Sequence, residues 1–314
     1  MNHTCLSCQI METELALPEG YHKRCSKKLF GTIGPPTVPF RTSDIVSEAQ
    51  KMVGKMSISG VQPKLSVIQN RKKGQLNVVE RGGFYILKPP TERFESLPEN
   101  ENLCMNIASA YGIEVPPHGL LPLMDDRLAY VVKRFDRLED GSKLQQEDFQ
   151  QLLQTNDKYA GSYERIASFI KKHSCVPGLD LIRLFERALL FYVLANGDAH
   201  LKNFSLLRHK EAGYQLSPAY DIVNSRLVLP EEKEDMCLSL QGKKNRLSAG
   251  DFRRLSKHFG LNRKQVDNSF SGLNDLKPSI ETMIGASFLN QHLKDRFLEI
   301  FKERMKRIFG QWDQ

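Results

Sequence analysis

Apolar and polar positions alternate in short runs through the first half of this chain and fall into longer helical stripes in the second. Residues 64–68 have strand character, residues 71–74 (Arg-Lys-Lys-Gly) read as a turn, and residues 76–79 as the returning strand. Residues 84–88 form a third strand, closed by Pro89 and Pro90, and residues 128–132 another. Between them, residues 97–111 read as a helix with Leu103, Ile107, Ala110 and Tyr111 on one stripe. Gly112 ends it, and Pro116 and Pro117 follow. Residues 34–39 read as an extended connector, and residues 43–52 as a short helix. From about residue 146 helices dominate. Residues 181–196 carry apolar side chains at 181, 184, 185, 188, 191, 192 and 195. This stretch is nearly apolar all round after Ala188, which predicts burial. Residues 251–259 and 290–309 are further amphipathic helices, and no internal repeat is visible. The predicted fold class is α+β and two-lobed. A small mixed lobe spans residues 31–134, a larger, mainly helical lobe spans 135–314, and a cleft lies between them.

Composition narrows the class without naming an activity. A 314-residue chain with 40% hydrophobic and 26% charged residues is long enough for two or three packed subdomains and is not globally disordered. No apolar run approaches the roughly 18 residues that cross a bilayer. Glu12, Glu14 and Glu19 interrupt any signal-peptide core. A cytoplasmic, membrane-free protein is expected. Six cysteines are too few for a disulfide scaffold in a chain of this length, which favours a reducing compartment. The net charge of +8 suits nucleotides, nucleic acid or acidic proteins and does not choose among them. The basic clusters at 71–73, 243–244 and 253–254 lack interleaved aromatics, so they read as solvated faces rather than a stacking platform for nucleic acid.

Residues 1–30 form a distinct segment. Cys5, Cys8, His22 and Cys25 make C-x2-C, a spacer and H-x2-C, four ligands in two close pairs that suit a tetrahedral zinc ion. Reduced thiols in a partly ordered terminus are the alternative.

The strongest chemical signal is the stretch Asn196-Gly197-Asp198-Ala199-His200-Leu201-Lys202-Asn203-Phe204, directly after the apolar helix. A turn at the end of a buried helix presents side chains at a fixed position. Asp198 and Asn203 have the Asp-x4-Asn spacing of a kinase catalytic loop. Asp221 follows eighteen residues after Asn203 and supplies a second acid. Lys88 lies on a strand and Glu101 on the next helix, off the Leu103 stripe. Phosphoryl transfer needs these parts in this order: a lysine fixed by a helix glutamate, a base, and two metal ligands. Taken singly, each has a plain structural explanation: a solvated lysine, a surface glutamate, a capped turn, a packed histidine. A metalloenzyme using Asp198, His200 and Asp221 is the other chemical reading.

Four stretches together resemble the HipA-like serine/threonine kinases, the toxins of bacterial toxin–antitoxin systems. They are residues 57–64 (Ser-Ile-Ser-Gly-Val-Gln-Pro-Lys), residues 100–104, residues 134–137 with 146–149, and residues 197–204 with 218–221. The likeness spans roughly residues 30–310. It implies a two-lobed kinase fold using ATP and Mg²⁺. It implies Asp198 as catalytic base, Asn203 and Asp221 as metal ligands, and Lys88 as the phosphate-contacting lysine paired with Glu101. His200 and Lys202 join the catalytic loop. The stretch from Lys133 to Phe135 becomes the hinge that reads adenine. Lys64 and Gly60 belong to the nucleotide-covering loop, whose Ser57 or Ser59 is expected to be autophosphorylated. A phosphate there adds about −1.5 to −2 charge where the phosphates of ATP must sit.

With only about fifty residues ahead of that loop, the chain resembles the short HipT type. This implies a HipS-like small protein and a HipB-like DNA-binding antitoxin as partners, with DNA reached only through the antitoxin complex. The expected substrate is an aminoacyl-tRNA synthetase of tryptophanyl or glutamyl type. A small-molecule or lipid kinase on the same scaffold and a non-enzymatic nucleic-acid-binding regulator are the competing functions.

Overall fold

Strand alternation decides which face each side chain takes, and the computed structural model carries it through a five-stranded antiparallel sheet. Residues 4–11, 20–44, 63–209, 213–231 and 234–310 are described. The strands are β1 (Leu65–Asn70), β2 (Gln75–Val78), β3 (Tyr85–Lys88), β4 (His118–Pro122) and β5 (Leu128–Lys133), in the order β2-β1-β3-β5-β4. The outer face gathers Leu65, Val67, Leu76, Tyr85, Leu87 and Val131. It is closed by Leu29 and Phe30 of helix α1 (Lys23–Phe30) and by Tyr21 just before it. Packing therefore runs continuously across residue 30, where sequence reasoning divides the chain.

The inner face carries Ile86, Tyr130 and Val132, and helix α2 (Leu97–Ala110) packs on it. Lys88 pairs with Tyr130 across the β3–β5 register and shares this inner face with Ile86. Its ammonium lies 5.5 Å from the centroid of the Tyr130 ring. Helix α2 is covered on both sides. Leu103 and Ile107 are buried as their spacing predicts, but so are Asn100, Glu101, Asn102, Cys104 and Met105. Ala110, expected on the apolar stripe, is exposed instead. The second lobe supplies the extra cover.

That lobe contains β6 (Gln145–Asp148), α3 (Phe149–Leu152), α4 (Tyr163–His173) and α5 (Pro177–Val193). Then come β7 (Ser205–His209), β8 (Gly213–Leu216) and α6 (Ser225–Val228). Helices α7 (Ala249–Phe259), α8 (Arg263–Asp275), α9 (Lys277–Ala286) and α10 (Gln291–Phe309) complete it. Every residue from Ala188 to Ala195 is buried, as the apolar run predicts. Helix α5 starts earlier than its apolar stripe because Pro177 occupies its first turn, where a missing N–H costs nothing. The lobe is not purely helical: β6, β7 and β8 form a three-stranded antiparallel sheet in that order. The helix expected over residues 43–52 lies, from residue 45 onward, outside the described residues, as do Ser57, Ser59 and Gly60. Among the described residues no helix is long and apolar enough to cross a membrane.

One polar clasp joins the lobes through α2. The Asn100 side-chain amide donates to Asn224 O at 3.0 Å, and Asn224 N–H donates back to Asn100 Oδ1 at 2.9 Å. Both residues are fully buried, so removing the amide orphans two backbone groups. Asn100→Ala is expected to lower unfolding free energy by about 2–4 kcal/mol, read from the midpoint of a urea titration at unchanged m.

Candidate active site

The site is built on the inner face of the sheet. Lys88 Nζ donates to Glu101 Oε1 at 2.6 Å and Oε2 at 2.8 Å, so β3 and α2 are joined by a buried, two-oxygen ion pair. The same ammonium also donates to Asp221 Oδ1. Burial works against the charge on Lys88, but the Asp221 and Glu101 carboxylates outweigh it and hold the ammonium protonated well above its usual range. Burial pushes Glu101 up to about 7, against the pull of Lys88 and with the Asp221 charge adding to it.

Asp221 and Asn203 are brought together by the β7–β8 hairpin. Asn203 precedes β7 in a short 3-10 turn over Leu201–Asn203, and Asp221 follows β8. Ser217 N–H donates to Ser205 O at 2.9 Å, continuing the pairing toward the open end of the hairpin. There Asn203 Nδ2 lies 3.3 Å from Asp221 Oδ2. Lys64 Nζ donates to the same Asp221 oxygen at 2.8 Å. Burial opposes ionisation of Asp221, yet Lys88 and Lys64 overcome it and hold the carboxyl far below the usual carboxylate range. Its side chain remains 27% exposed, so a ligand can reach it from the cleft. The backbone of Asp221 is left-handed, with φ +62°. A non-glycine residue there stores about 1–2 kcal/mol, as functional turns often do.

The loop carrying Asp198 is anchored at both ends. Gly197 N–H donates to Ser225 Oγ at 2.8 Å, and His200 N–H donates to Asp198 O at 2.8 Å and to Asn203 Oδ1 at 3.1 Å. Asp198 itself is exposed on the cleft wall. The His200 ring is buried and meets Tyr159 edge-on at 5.7 Å. Burial and then Lys158 push His200 down to about 4, so the imidazole is neutral at pH 7. The Lys202 side chain is exposed, while its carbonyl accepts from Tyr220 Oη at 2.9 Å.

The far wall is the strand-to-lobe crossing after β5. Lys133, Arg134 and Phe135 line it, and the Phe135 ring stands 5.4 Å from that of Tyr220. The amides of Lys133 and Arg134 are spent on Pro117 O and Phe84 O. Arg134 grips Asp136 through two bonds of 2.8 and 2.7 Å, which fixes the crossing.

The whole cleft encloses about 860 Å³ and is lined by Lys64, Lys88, Glu101, Lys133, Phe135, Asp198, His200, Lys202, Asn203 and Asp221. Apart from Gly60, every residue expected in the catalytic loop, its metal pair and the nucleotide pocket therefore meets in one place. A second cavity of about 870 Å³, among α7, α8 and the end of α10, carries no comparable set of acids and lysines. Sequence reasoning missed the Arg134–Asp136 clamp, although the residues stood in a quoted stretch. It also missed Lys158 and Tyr159, which enter the cleft from an irregular loop with no periodicity to announce them.

A sequence model of the HipA-like C-terminal domain matches residues 56–279. A protein of Haemophilus influenzae named "Putative kinase" is 30% identical over 317 aligned positions, covering 91% of this chain and 90% of that one. Among solved structures, the HipA, HipB and operator DNA complex of the Shewanella oneidensis MR-1 toxin–antitoxin system matches with a TM-score of 0.71. That match has 19% identity and covers 87% of this chain and 72% of the other. The proinflammatory kinase CtkA of Helicobacter pylori matches with a TM-score of 0.53 and 16% identity, over 79% of this chain and 91% of that one. The fold is thus the two-lobed one of the HipA and CtkA structures, and the chain belongs to the HipA-like C-terminal domain family of kinase-like proteins.

Proposed function

We propose that this protein is an ATP-dependent serine/threonine protein kinase and the toxin of a bacterial toxin–antitoxin system, of the short HipT type. The observation that carries the reading is the convergence of Lys88, Glu101, Asp198, Asn203 and Asp221 on one cleft. Lys88, held by Glu101, reaches toward the nucleotide phosphates from the β-strand side, and Lys64 does so from its mouth. Adenine sits against Ile86, Val132 and Phe135. Since the Lys133 and Arg134 amides are already bonded, the reading of its edge falls to carbonyls of this crossing and the Phe135 amide. Asp198 accepts the proton of the attacking hydroxyl as its oxygen bonds to the γ-phosphorus and the bond to the ADP oxygen breaks.

Asp221 offers a hard oxygen donor at the open end of the hairpin, and Asn203 Oδ1, which accepts from the His200 amide, keeps a second lone pair, the donor chemistry that suits Mg²⁺. These residues would hold the ion, which neutralises phosphate charge when bound. Asp221 is held ionised and Lys64, 43% exposed, is the ammonium best able to leave it. The buried His200, lowered to about 4, is too weak a base to hold the hydroxyl proton and packs the loop instead. The substrate is an aminoacyl-tRNA synthetase of tryptophanyl or glutamyl type, and Ser57 or Ser59 is the self-modified residue. A HipS-like protein and a HipB-like antitoxin complete the cytoplasmic complex, with DNA contacted through the antitoxin.

Incubation with ATP and Mg²⁺, followed by intact-mass measurement, is expected to add whole phosphates to the chain, mapping to Ser57 or Ser59. Addition of cell lysate is expected to place phosphate on a synthetase serine. Transfer only to small metabolites would replace the protein-kinase reading with a small-molecule kinase, and absence of any ATP-dependent transfer would remove the enzyme reading.

A further inference from the structure

A second cluster of chemistry lies outside the cleft. The ligand atoms of Cys5, Cys8, His22 and Cys25 all fall within 4.8 Å of one another. His22 Nδ1 is 3.2 Å from Cys8 Sγ and 3.7 Å from Cys25 Sγ. Zinc–sulfur bonds of about 2.3 Å and zinc–nitrogen bonds of about 2.0–2.1 Å set tetrahedral S···N edges of about 3.6 Å and S···S edges of about 3.8 Å. The observed spacings bracket that size. The His22 backbone N–H also donates to Cys5 Sγ at 3.4 Å, a bond that suits the thiolate form a metal ligand takes. Three sulfurs and one imidazole form a soft, closed donor set, which selects zinc over the magnesium suited to the cleft.

The cluster sits at a seam. Leu6 and Ser7 lie between the first two cysteines, and Tyr21 precedes the histidine. All three are bonded to β4, the strand at one edge of the five-stranded sheet. Leu120 N–H donates to Leu6 O at 2.9 Å, Ser7 Oγ donates to His118 O at 2.7 Å, and Tyr21 Oη donates to Leu120 O at 2.7 Å. Gly119 makes the approach feasible, since a Cβ there would collide with Tyr21 Oη and stand 3.2 Å from Ser7 Cα. On the other side, Asn106 Nδ2 of α2 donates to Ser7 O at 2.7 Å. A strand edge exposes unpaired backbone groups unless something covers it, and so short a covering segment has little core of its own.

We propose that Cys5, Cys8, His22 and Cys25 bind one structural Zn²⁺, and that this ion fastens the N-terminal segment over the β4 edge and onto α2, the helix that carries Glu101. All four coordination positions are filled by protein, so the ion has no open site for substrate. Its binding free energy becomes folding free energy of the clasp.

The test reads metal and backbone protection, not phosphoryl transfer, so it stands or falls apart from the kinase reading. The full chain is passed through metal-free buffer and its zinc measured by mass spectrometry. One zinc per chain is expected, and Co²⁺ in its place should give the intense visible bands and thiolate charge-transfer absorption of a tetrahedral sulfur-rich site. Cys8→Ser should reduce zinc retention by about tenfold or more, whereas Cys175→Ser, at an exposed thiol remote from the cluster, should not. Chelation should speed hydrogen exchange of the Leu120 amide by about tenfold or more. Substoichiometric zinc after zinc supplementation, octahedral cobalt, or equal loss in the two serine variants overturns the site. Unchanged Leu120 exchange in the zinc-free protein overturns the clasp.

Discussion

Replacing Asp198 by asparagine is expected to slow phosphoryl transfer by about 10²–10⁴-fold, the range general-base catalysis contributes. The rise in melting temperature on adding ATP and Mg²⁺ should survive if, as proposed, the nucleotide is held by Lys64, Lys88 and the Phe135 wall of the cleft. Asparagine keeps the shape of the side chain but removes its negative charge and its capacity to take a proton. The loop is held by backbone and by neighbours: Gly197 N–H on Ser225 Oγ, and the amide of His200 on Asp198 O and Asn203 Oδ1. Single-turnover transfer separates the chemical step from product release. A variant rate within about threefold of the parent, far below the general-base contribution, would move the base elsewhere.

The strand period makes much of this site legible. Tyr85 and Leu87 point one way and Ile86 and Lys88 the other, so the lysine's face follows once β3 is assigned. Asp-x4-Asn is read from its spacing instead, and the later acid from its place after a strand-like stretch. Helix α2 is less transparent. Its stripe at Leu103 and Ile107 identifies one buried face, but the second arises from contacts with residues such as Asn224, more than a hundred positions away. Glu101 therefore looks like a surface residue in isolation and is nearly inaccessible in the fold. The three-stranded sheet is hidden for another reason. Gln145–Asp148 has no apolar alternation, and its pairing with β7 is made by backbone groups that every residue carries. His118–Pro122 follows a proline pair, contains glycine and is buried at four successive positions, so neither period shows in its sequence.

Lys88→Met is expected to cost transfer activity about 10²–10³-fold, the usual loss when one preorganised donor to developing charge is removed. Its effect on stability should be the more diagnostic measurement. The lysine is 4% exposed and its partner Glu101 2%, so the methionine leaves a carboxyl in an apolar pocket with its counter-charge gone. Breaking such a buried pair from one side costs about 3–5 kcal/mol. The cost must depend on pH in a definite direction. Burial already raises Glu101 from 4.5 to about 7 while Lys88 opposes the rise. Without the lysine the folded-state value climbs further, whereas the unfolded chain keeps the ordinary one. The folded state then binds more protons than the unfolded state, and stability falls as pH increases from about 4.5 through the raised folded value, by at most about 1.4 kcal/mol per unit. Urea midpoints of Lys88→Met should accordingly decline relative to the parent above about pH 7, where the parent's Glu101 has given up its proton and the variant's still holds it; below that both proteins fall alike. In the double variant Lys88→Met/Glu101→Gln the extra decline should vanish, since no carboxyl remains to titrate at that position. Asp221 retains Lys64 in both proteins and is open to water, so it contributes little to the difference between them. Equal pH profiles for the single and double variants would mean that Glu101 does not carry the buried charge, and the ion pair would lose its place as the link between β3 and α2.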